Sequence, residues 1–332
     1  MTGPSAQACY ALNGQVIGIL AERPDLWLDF DRMLGSLRMA SCAEPGFHVR
    51  IAETALLPET QGGSLVFDGE VPEDGPCRMF QDGEVIHLVF PSQTLSIHGG
   101  EGWAEIRVRP DARITWTAWM LVLDMALDAG GQHMLHTAGL TLPDRDAIVL
   151  IHAPSGTGKT TTSLALASRG FGICSDDAMI VTGASAKPSA WGLPRHVKIH
   201  RKTADMLPFV SPCLGTAWDS NGEQAVSLER LREIVRVEDS SIRPVIAVLH
   251  LARSMDSQSR LVAMAKTDAM VALAADNVRT GMTGLLPLQK RRLSTIARLV
   301  TTVPTYTLEV GASPADAAAL ISAAFAGQEQ GR

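Results

Sequence analysis

The sequence predicts an α/β protein in two parts. A smaller, β-rich α+β region covers residues 1–112, a larger α/β domain covers residues 113–327, and residues 328–332 form a tail. Three observations carry this expectation. Short runs in the first region alternate apolar and polar residues between turn signals, the period-two pattern of half-buried strands. Residues 146–180 read as an apolar strand, a turn of small residues, a helix rich in Ala, Leu and Thr, and a second apolar strand. Beyond them, helical patterns alternate with isolated apolar runs, as layered α/β folds require.

In chain order, one helix over Asp25–Leu37 interrupts the strands of the first region. Phe47–Glu53 and Ser64–Glu70 alternate cleanly. Cys77–Pro91 reads as a hairpin about Asp82-Gly83, and Thr94–Pro110 as another about Gly99-Gly100. No chemistry-bearing motif is visible there. Thr115–Ala129 has apolar residues at helical spacing and stops at Gly130-Gly131; its aromatics read as core. His133–Leu142 predicts one strand, turning through Pro143-Asp144 into the run Ala147–Ile151. Further on, helical patterns fall between Leu228 and Val300, and Val245–Leu251 and Thr305–Val310 predict strands. Ser313 caps a last helix, with Pro314 at its first position and Gly327 beyond its end. No repeat or low-complexity linker marks the seam near residue 112.

Composition narrows the function classes. With 332 residues, 46% hydrophobic and 19% charged, the chain is long and apolar enough for two cores. A net charge of −6 gives no pull towards nucleic acid or anionic membrane. The N-terminus, MTGPSAQACY, lacks the basic-then-apolar order of a secretory signal. The apolar segment Ile114–Leu142 is interrupted by Asp124, Asp128 and His133, which argues against a membrane span. Five scattered cysteines (Cys9, Cys42, Cys77, Cys174, Cys213) have no zinc-ligand spacing and read as reduced thiols, so a cytoplasmic setting is expected.

The turn in residues 146–180 is APSGTGKT, residues 153–160. It matches G-x-x-x-x-G-K-[ST] except that Ala153 replaces the first glycine, which requires a loop entry without left-handed backbone. Between a strand and a helix, such a loop aims the backbone N–H groups of Ser155, Gly156, Thr157, Gly158 and Lys159 at nucleotide phosphates, with Thr160 and Thr161 opening the helix. Lys159 would neutralise the β/γ oxygens and the Thr160 hydroxyl would sit on Mg²⁺, so ATP and Mg²⁺ are the expected cofactors. Asp176 and Asp177 follow at the end of the next strand, an edge where ligands gather in parallel sheets. One carboxylate can hold the metal through water, and the other can accept a proton from an attacking hydroxyl.

Three weaker signals accompany the loop. His136 lies on the strand before the loop strand and near the same edge, although a lone histidine in an apolar strand is more often core; His133 and His152 carry less weight. Pro194–Lys202 alternates with period two, which fits a solvated strand edge or a cationic strip. In the second case Arg195 and Lys198 would contact phosphate or an acidic substrate. Lys290, Arg291, Arg292 and Arg298 read as a solvated helix face, with a docking role as the alternative.

Taken together, His136, APSGTGKT, the spacing to Asp176-Asp177 and the phrase SRGFGICSDDAMIV resemble the catalytic domain of the HPr serine kinase/phosphorylase family. The likeness is strong over residues 132–181, continues weakly to VPTYTLEVGASPADAAALI, and does not cover residues 1–112. It implies a P-loop kinase core akin to ATP-dependent phosphoenolpyruvate carboxykinase. It also implies Lys159 as the phosphate-binding lysine and Thr160 as magnesium ligand. Asp177 would be the proton acceptor, Asp176 its acidic neighbour near the metal, and His136 the active-site histidine. The family's E-x-R-G-x-G-I-I-D-V block is absent; the chain has LPRHVKIHRK near residue 200. That points away from kinase/phosphorylase action on HPr itself. The chain is more similar to divergent HPr-kinase-related proteins found with ribosomally made peptides, including lasso-peptide tailoring kinases that phosphorylate a serine of a precursor.

The expectation is therefore an ATP-dependent kinase acting on a serine or other hydroxyl of a peptide or protein acceptor. Residues 1–112 or the Arg195–Lys202 strip would serve for docking, and self-association stays open. Nucleic acid and membrane are not expected partners. A small-molecule kinase on the same core and a nucleotide-controlled regulatory module are the alternatives. Two adjacent carboxylates favour an enzyme over a switch, which needs only the metal-holding one, and no N-K-x-D guanine-reading motif occurs.

Overall fold

The alternating runs of the first region join into one eight-stranded sheet in the computed structural model, which describes residues 6–42, 44–58, 62–183, 187–254, 256, 258–278 and 285–325. The chain divides into two compact units, Met1–His133 with Val278–Arg292, and Met134–Asn277 with Leu293–Arg332. The division falls at His133, so the helix that follows residue 112 belongs to the first unit. Gly327 and residues 328–332 lie outside the described residues.

The first unit carries β1 (Ala6–Ala11), β2 (Val16–Ala21), β3 (Phe47–Glu53), β4 (Ser64–Val71), β5 (Gly75–Asp82), β6 (Val85–Val89), β7 (Gln93–His98) and β8 (Trp103–Val108). They run in the order β1-β2-β3-β8-β7-β6-β5-β4. The pairs β2–β3 and β3–β8 are parallel and the other neighbours antiparallel. Helix α1 (Leu28–Leu34) forms the centre of the expected Asp25–Leu37 segment, with 3-10 turns on both sides. Helix α2 (Trp116–Ala129) starts at Thr115, whose hydroxyl accepts from the Ala118 N–H at 3.3 Å. Phe30 of α1 meets Tyr10 at 5.3 Å and Trp119 at 4.7 Å between ring centres, so Trp119 is core as expected. Trp116, one turn earlier, is exposed.

The cysteine expectation is corrected here. Cys9 and Cys42 form a disulfide, while Cys77, Cys174 and Cys213 are free and buried. The reason is a contact between distant segments: Met39 donates its N–H to the Cys9 carbonyl at 2.8 Å, which lays the segment after α1 beside β1 and brings the two Cα atoms to 5.4 Å. Sequence spacing carries no sign of that contact.

The second unit begins within β9 (Gln132–Leu135) and continues with β10 (Ala138–Thr141), β11 (Ile148–His152), α3 (Lys159–Ala167), β12 (Gly172–Ser175), β13 (Met179–Thr182) and β14 (Ser189–Gly192). Next come β15 (Val197–His200), α4 (Arg201–Met206), β16 (Glu223–Val226), α5 (Leu228–Leu231), β17 (Arg243–Arg253), β18 (Arg260–Ala263) and α6 (Lys266–Asn277). The chain ends with α7 (Leu286–Thr302), β19 (Thr305–Val310) and α8 (Pro314–Phe325). The sheet runs β12-β10-β11-β17-β14-β13-β9, with β19 also against β17 and β18 against β19. It is mixed. β11, β17 and β19 are parallel, whereas β10 lies antiparallel between β11 and β12. The single strand expected over His133–Leu142 is broken into β9 and β10, because Thr137 donates its N–H to the Leu135 carbonyl at 2.8 Å and closes a three-residue turn about His136.

Apolar burial fixes α3 against this sheet. Leu164 and Leu166 share a core with Val149 and Ile151 of β11 and with Ala317, Ile321 and Phe325 of α8. Val197, Ile199 and Val226 of the β15–β16 ribbon join the same core.

The basic run on α7 is corrected at one position: Lys290, Arg291 and Arg298 are exposed as expected, whereas Arg292 is buried. Arg292, 7% exposed, reaches Asp124 at 2.9 Å, and Arg291 donates to Asp128 at 2.7 Å; both carboxylates project from α2 in the same unit. Arg298 donates to the Gly183 carbonyl at 2.6 Å. No described helix is long and apolar enough to cross a membrane.

Thiol titration of the unfolded, unreduced protein should find three reactive cysteines, those at 77, 174 and 213. Cys42→Ser should lower stability by about 2–4 kcal/mol, since the disulfide closes a long loop in the unfolded chain. Five reactive thiols in the unreduced protein would contradict the pairing.

Candidate functional site

Strand register brings the candidate residues to one edge of the second sheet. Ala138 of β10 pairs with Ile151, at the end of β11, and Gly139 pairs with Ser175, the last residue of β12. Two antiparallel steps restore direction, so β11 and β12 end at the edge where β10 begins. The loop after His152, the pair Asp176-Asp177 after β12 and His136 before β10 therefore converge, although the sheet is not the parallel one expected.

The loop itself is shaped by two glycines. Gly156 has φ 76° and Gly158 φ 110°, and a Cβ at either would meet nothing within 4 Å. Conformation, not space, reserves these positions for glycine. Ala153 is not among the residues with positive φ, which is why alanine is tolerated there, and it is buried at the end of β11. Thr157 donates its N–H to the Pro154 carbonyl at 3.1 Å, and Gly158 caps α3 without a side chain. The first N–H groups of α3 have no partner within the helix and carry its positive dipole end. Arg253, the last residue of β17, donates Nη2–H to the Gly156 carbonyl at 2.6 Å and ties down the tip of the loop.

Beside the loop, charges are buried and incompletely paired. The Lys159 ammonium is buried without a hydrogen-bond partner, and one oxygen each of Asp176 and Asp177 is in the same state. Burial pushes the Lys159 pKa down, while Asp176, Asp177 and Asp276 oppose that shift. Thr160 donates its hydroxyl to Asp176 at 2.7 Å. Asp176 is only 8% exposed, and burial pushes its carboxyl up to about 6 despite that hydrogen bond and the nearby Lys159. Asp177 is more open, and its second oxygen stands 3.6 Å from Arg195 Nη1. Orphaned cationic and anionic atoms at a helix N-terminus fit a polyphosphate and a divalent cation: Lys159 and the loop amides for phosphate, Thr160 and Asp176 for the metal. Among the described residues no group of three His, Cys, Asp or Glu side chains could hold a metal by itself. A cation here would take phosphate and water oxygens as further ligands.

The remaining expected residues divide. Ser155 and Gly156 lie exposed at the tip of the loop. The Thr161 hydroxyl is buried and bonded to Thr203 of α4 at 2.8 Å, so it is turned away from solvent. Lys198 alternates with buried Val197 and Ile199 and faces solvent. His136 sits in the turn between β9 and β10 and donates its backbone N–H to Asn277 Oδ1 at 2.6 Å. Burial and Lys159 push its pKa down, against Asp177 and Asp276, so the imidazole is neutral at neutral pH.

One cluster escaped the sequence reading. His152, 2% exposed, contacts His250 between Nδ1 atoms at 2.9 Å and Asp276 Oδ2 through Nε2 at 2.9 Å. The signal was present: each of two neighbouring buried runs, IVLIH and IAVLHLA, carries a histidine, and the two pair in register. Nothing in the sequence marks Asp276 or Asn277 at the end of α6. No protein-family model matches the chain, and a search of curated proteins finds no match either.

The raised Asp176 pKa has a thermodynamic sign. A carboxyl near 6 in the fold and about 4 when unfolded is penalised as an anion in the fold, so stability is lost as pH rises through about 4 to 6. Removing the charge should therefore stabilise the metal-free protein. Asp176→Asn should raise thermal stability at about pH 7.5 by roughly 1–3 kcal/mol, with the gain vanishing near pH 4. Melting curves at the two pH values check this, and equal stability at the higher pH would contradict it.

Proposed function

We propose that the chain is an ATP-dependent kinase that transfers the γ-phosphoryl group to a hydroxyl, a serine of a peptide or protein being the acceptor class the resemblance favours. The observation that carries the reading is the unpartnered, buried Lys159 ammonium at a glycine-shaped loop, beside a Thr160–Asp176 pair and a second, more open carboxylate. A binding switch has use for the first three features. The fourth is what a transfer reaction requires.

On this reading the loop amides and Lys159 bind the phosphates and draw charge from the group in transfer. Thr160 and Asp176 would hold Mg²⁺, which would supply charge neutralisation on the phosphate oxygens. The acceptor oxygen bonds to the γ-phosphorus as the bond from phosphorus to the β–γ bridging oxygen breaks, and ADP leaves with the bond's electrons. Asp177 takes the hydroxyl proton. Arg195, 3.6 Å from Asp177, places a cation where acceptor and phosphate would meet. The reading assigns acceptor docking to residues 1–112 or to the Arg195–Lys202 strip. The absence of the HPr-specific block favours an acceptor other than HPr, such as a ribosomal peptide precursor.

Calorimetric titration should detect ATP·Mg²⁺ binding to the parent chain and none, or much weaker binding, to Lys159→Ala. Undiminished binding in that variant would overturn the assignment. Asp177→Asn should bind ATP·Mg²⁺ normally and lose roughly 10²–10⁴-fold in rate, the usual worth of a general base. Near-parental turnover in Asp177→Asn would move the proton acceptor elsewhere, with neutral His136 the next candidate.

A further inference from the structure

The C-terminal end of α6 touches both sides of the candidate site through adjacent residues. Asp276 accepts from His152, the residue immediately before the phosphate loop, and Asn277 accepts the backbone N–H of His136. Asn277 is 6% exposed and its amide nitrogen is itself fixed, donating to the Leu273 carbonyl at 2.9 Å within α6. The side-chain carbonyl is thereby held in one orientation. The His136 turn hangs on it by a 2.6 Å bond.

The other arm is equally constrained. With Asp276 accepting from His152 Nε2–H, a neutral His152 has a lone pair on Nδ1, so His250 must donate from its own Nδ1. Burial disfavours the charged form of both rings, which keeps this single arrangement. A chain of hydrogen bonds thus runs from β17 through the end of β11 to α6, and from α6 to the turn that carries His136.

We propose that Asp276 and Asn277 are positioning residues, a clamp that holds His136 in register with the phosphate loop. For its catalytic consequence the inference rests on the proposed function and on His136 being the active-site histidine the resemblance implies, though the clamp itself rests on neither. Neither residue needs to touch a substrate. Asp276 fixes the loop's entry strand through His152, and Asn277 fixes the imidazole's backbone at the same helix end. The Asp276 charge also lies close enough to bear on Lys159 and His136. Misplacing a reacting or proton-handling group by about 1 Å can cost 10²-fold in rate without weakening binding.

The test compares Asn277→Ala, His136→Gln and the double variant in the full chain, using ATP·Mg²⁺ as ligand and acceptor-free ATP hydrolysis as turnover. Nucleotide affinity in Asn277→Ala should stay within about twofold of the parent while kcat falls roughly 10- to 100-fold. The double variant should be no slower than His136→Gln alone, since both changes act through one group. Multiplying losses, unchanged kcat in Asn277→Ala, or affinity falling as far as kcat would each overturn the proposal. Two readouts need no turnover and separate failure of the clamp from failure of the kinase reading. In the parent chain the His136 amide should be protected from hydrogen exchange, and in Asp276→Asn the His136 imidazole should titrate at lower pH by NMR, because a carboxylate that favours its charged form is gone. A freely exchanging His136 amide, or a His136 titration indifferent to Asp276→Asn, would refute the clamp even if ATP is bound and hydrolysed.

Discussion

The second unit is organised around a cation it does not satisfy. Lys159 Nζ is buried without a hydrogen bond, and three carboxylates bear on it through space. Leaving an ammonium in that state costs several kcal/mol relative to a paired one. The fold sustains it because the backbone there is fixed by other means: α3 is anchored through Leu164 and Leu166 into the core shared with β11 and α8. The same holds for Asp176, which keeps a buried oxygen unpartnered while Thr160 satisfies the other. Apolar packing behind the loop thus holds charges that the loop alone would expel. Such unpaired, preorganised charge is what binding a phosphate would relieve, and on the proposed reading that is its use.

Topology supplies the rest of the arrangement. Because β10 reverses direction twice between β11 and β12, the sheet can be mixed and still deliver the loop, both aspartates and His136 to one edge. The turn about His136 interrupts what would otherwise be one strand. Adjacent to β11, the parallel strand β17 contributes His250 in register with His152 and, three residues later, Arg253 on the loop tip. Every one of these groups belongs to a single compact unit.

What could be read from the sequence follows the range of the forces involved. The loop was legible because its requirements are local: positive φ at Gly156 and Gly158, a buried strand before them and a helix after. So was β3, whose alternation is set residue by residue. The Cys9–Cys42 disulfide and the Arg291 and Arg292 ion pairs were not, because each depends on a partner far along the chain; nor was the break at His136, a three-residue turn that no Gly, Pro or Asn announces. Asp276 illustrates the same limit at the site. A carboxylate ending an ordinary helix becomes significant only when α6 is laid beside β11. Lys198 marks the converse: its alternation was read correctly, and alternation is what turns it to solvent.

The central claim, that residues 155–161 form a phosphate cradle with Asp176 and Asp177 beside it, is tested most directly by hydrogen exchange of those amides with and without ATP·Mg²⁺. The account predicts that nucleotide slows exchange roughly tenfold or more across the loop and the start of α3, with a smaller effect after β12, while β4–β6 of the first unit are unaffected. Unchanged exchange in the loop at a saturating nucleotide concentration, or protection confined to the first unit, would contradict it.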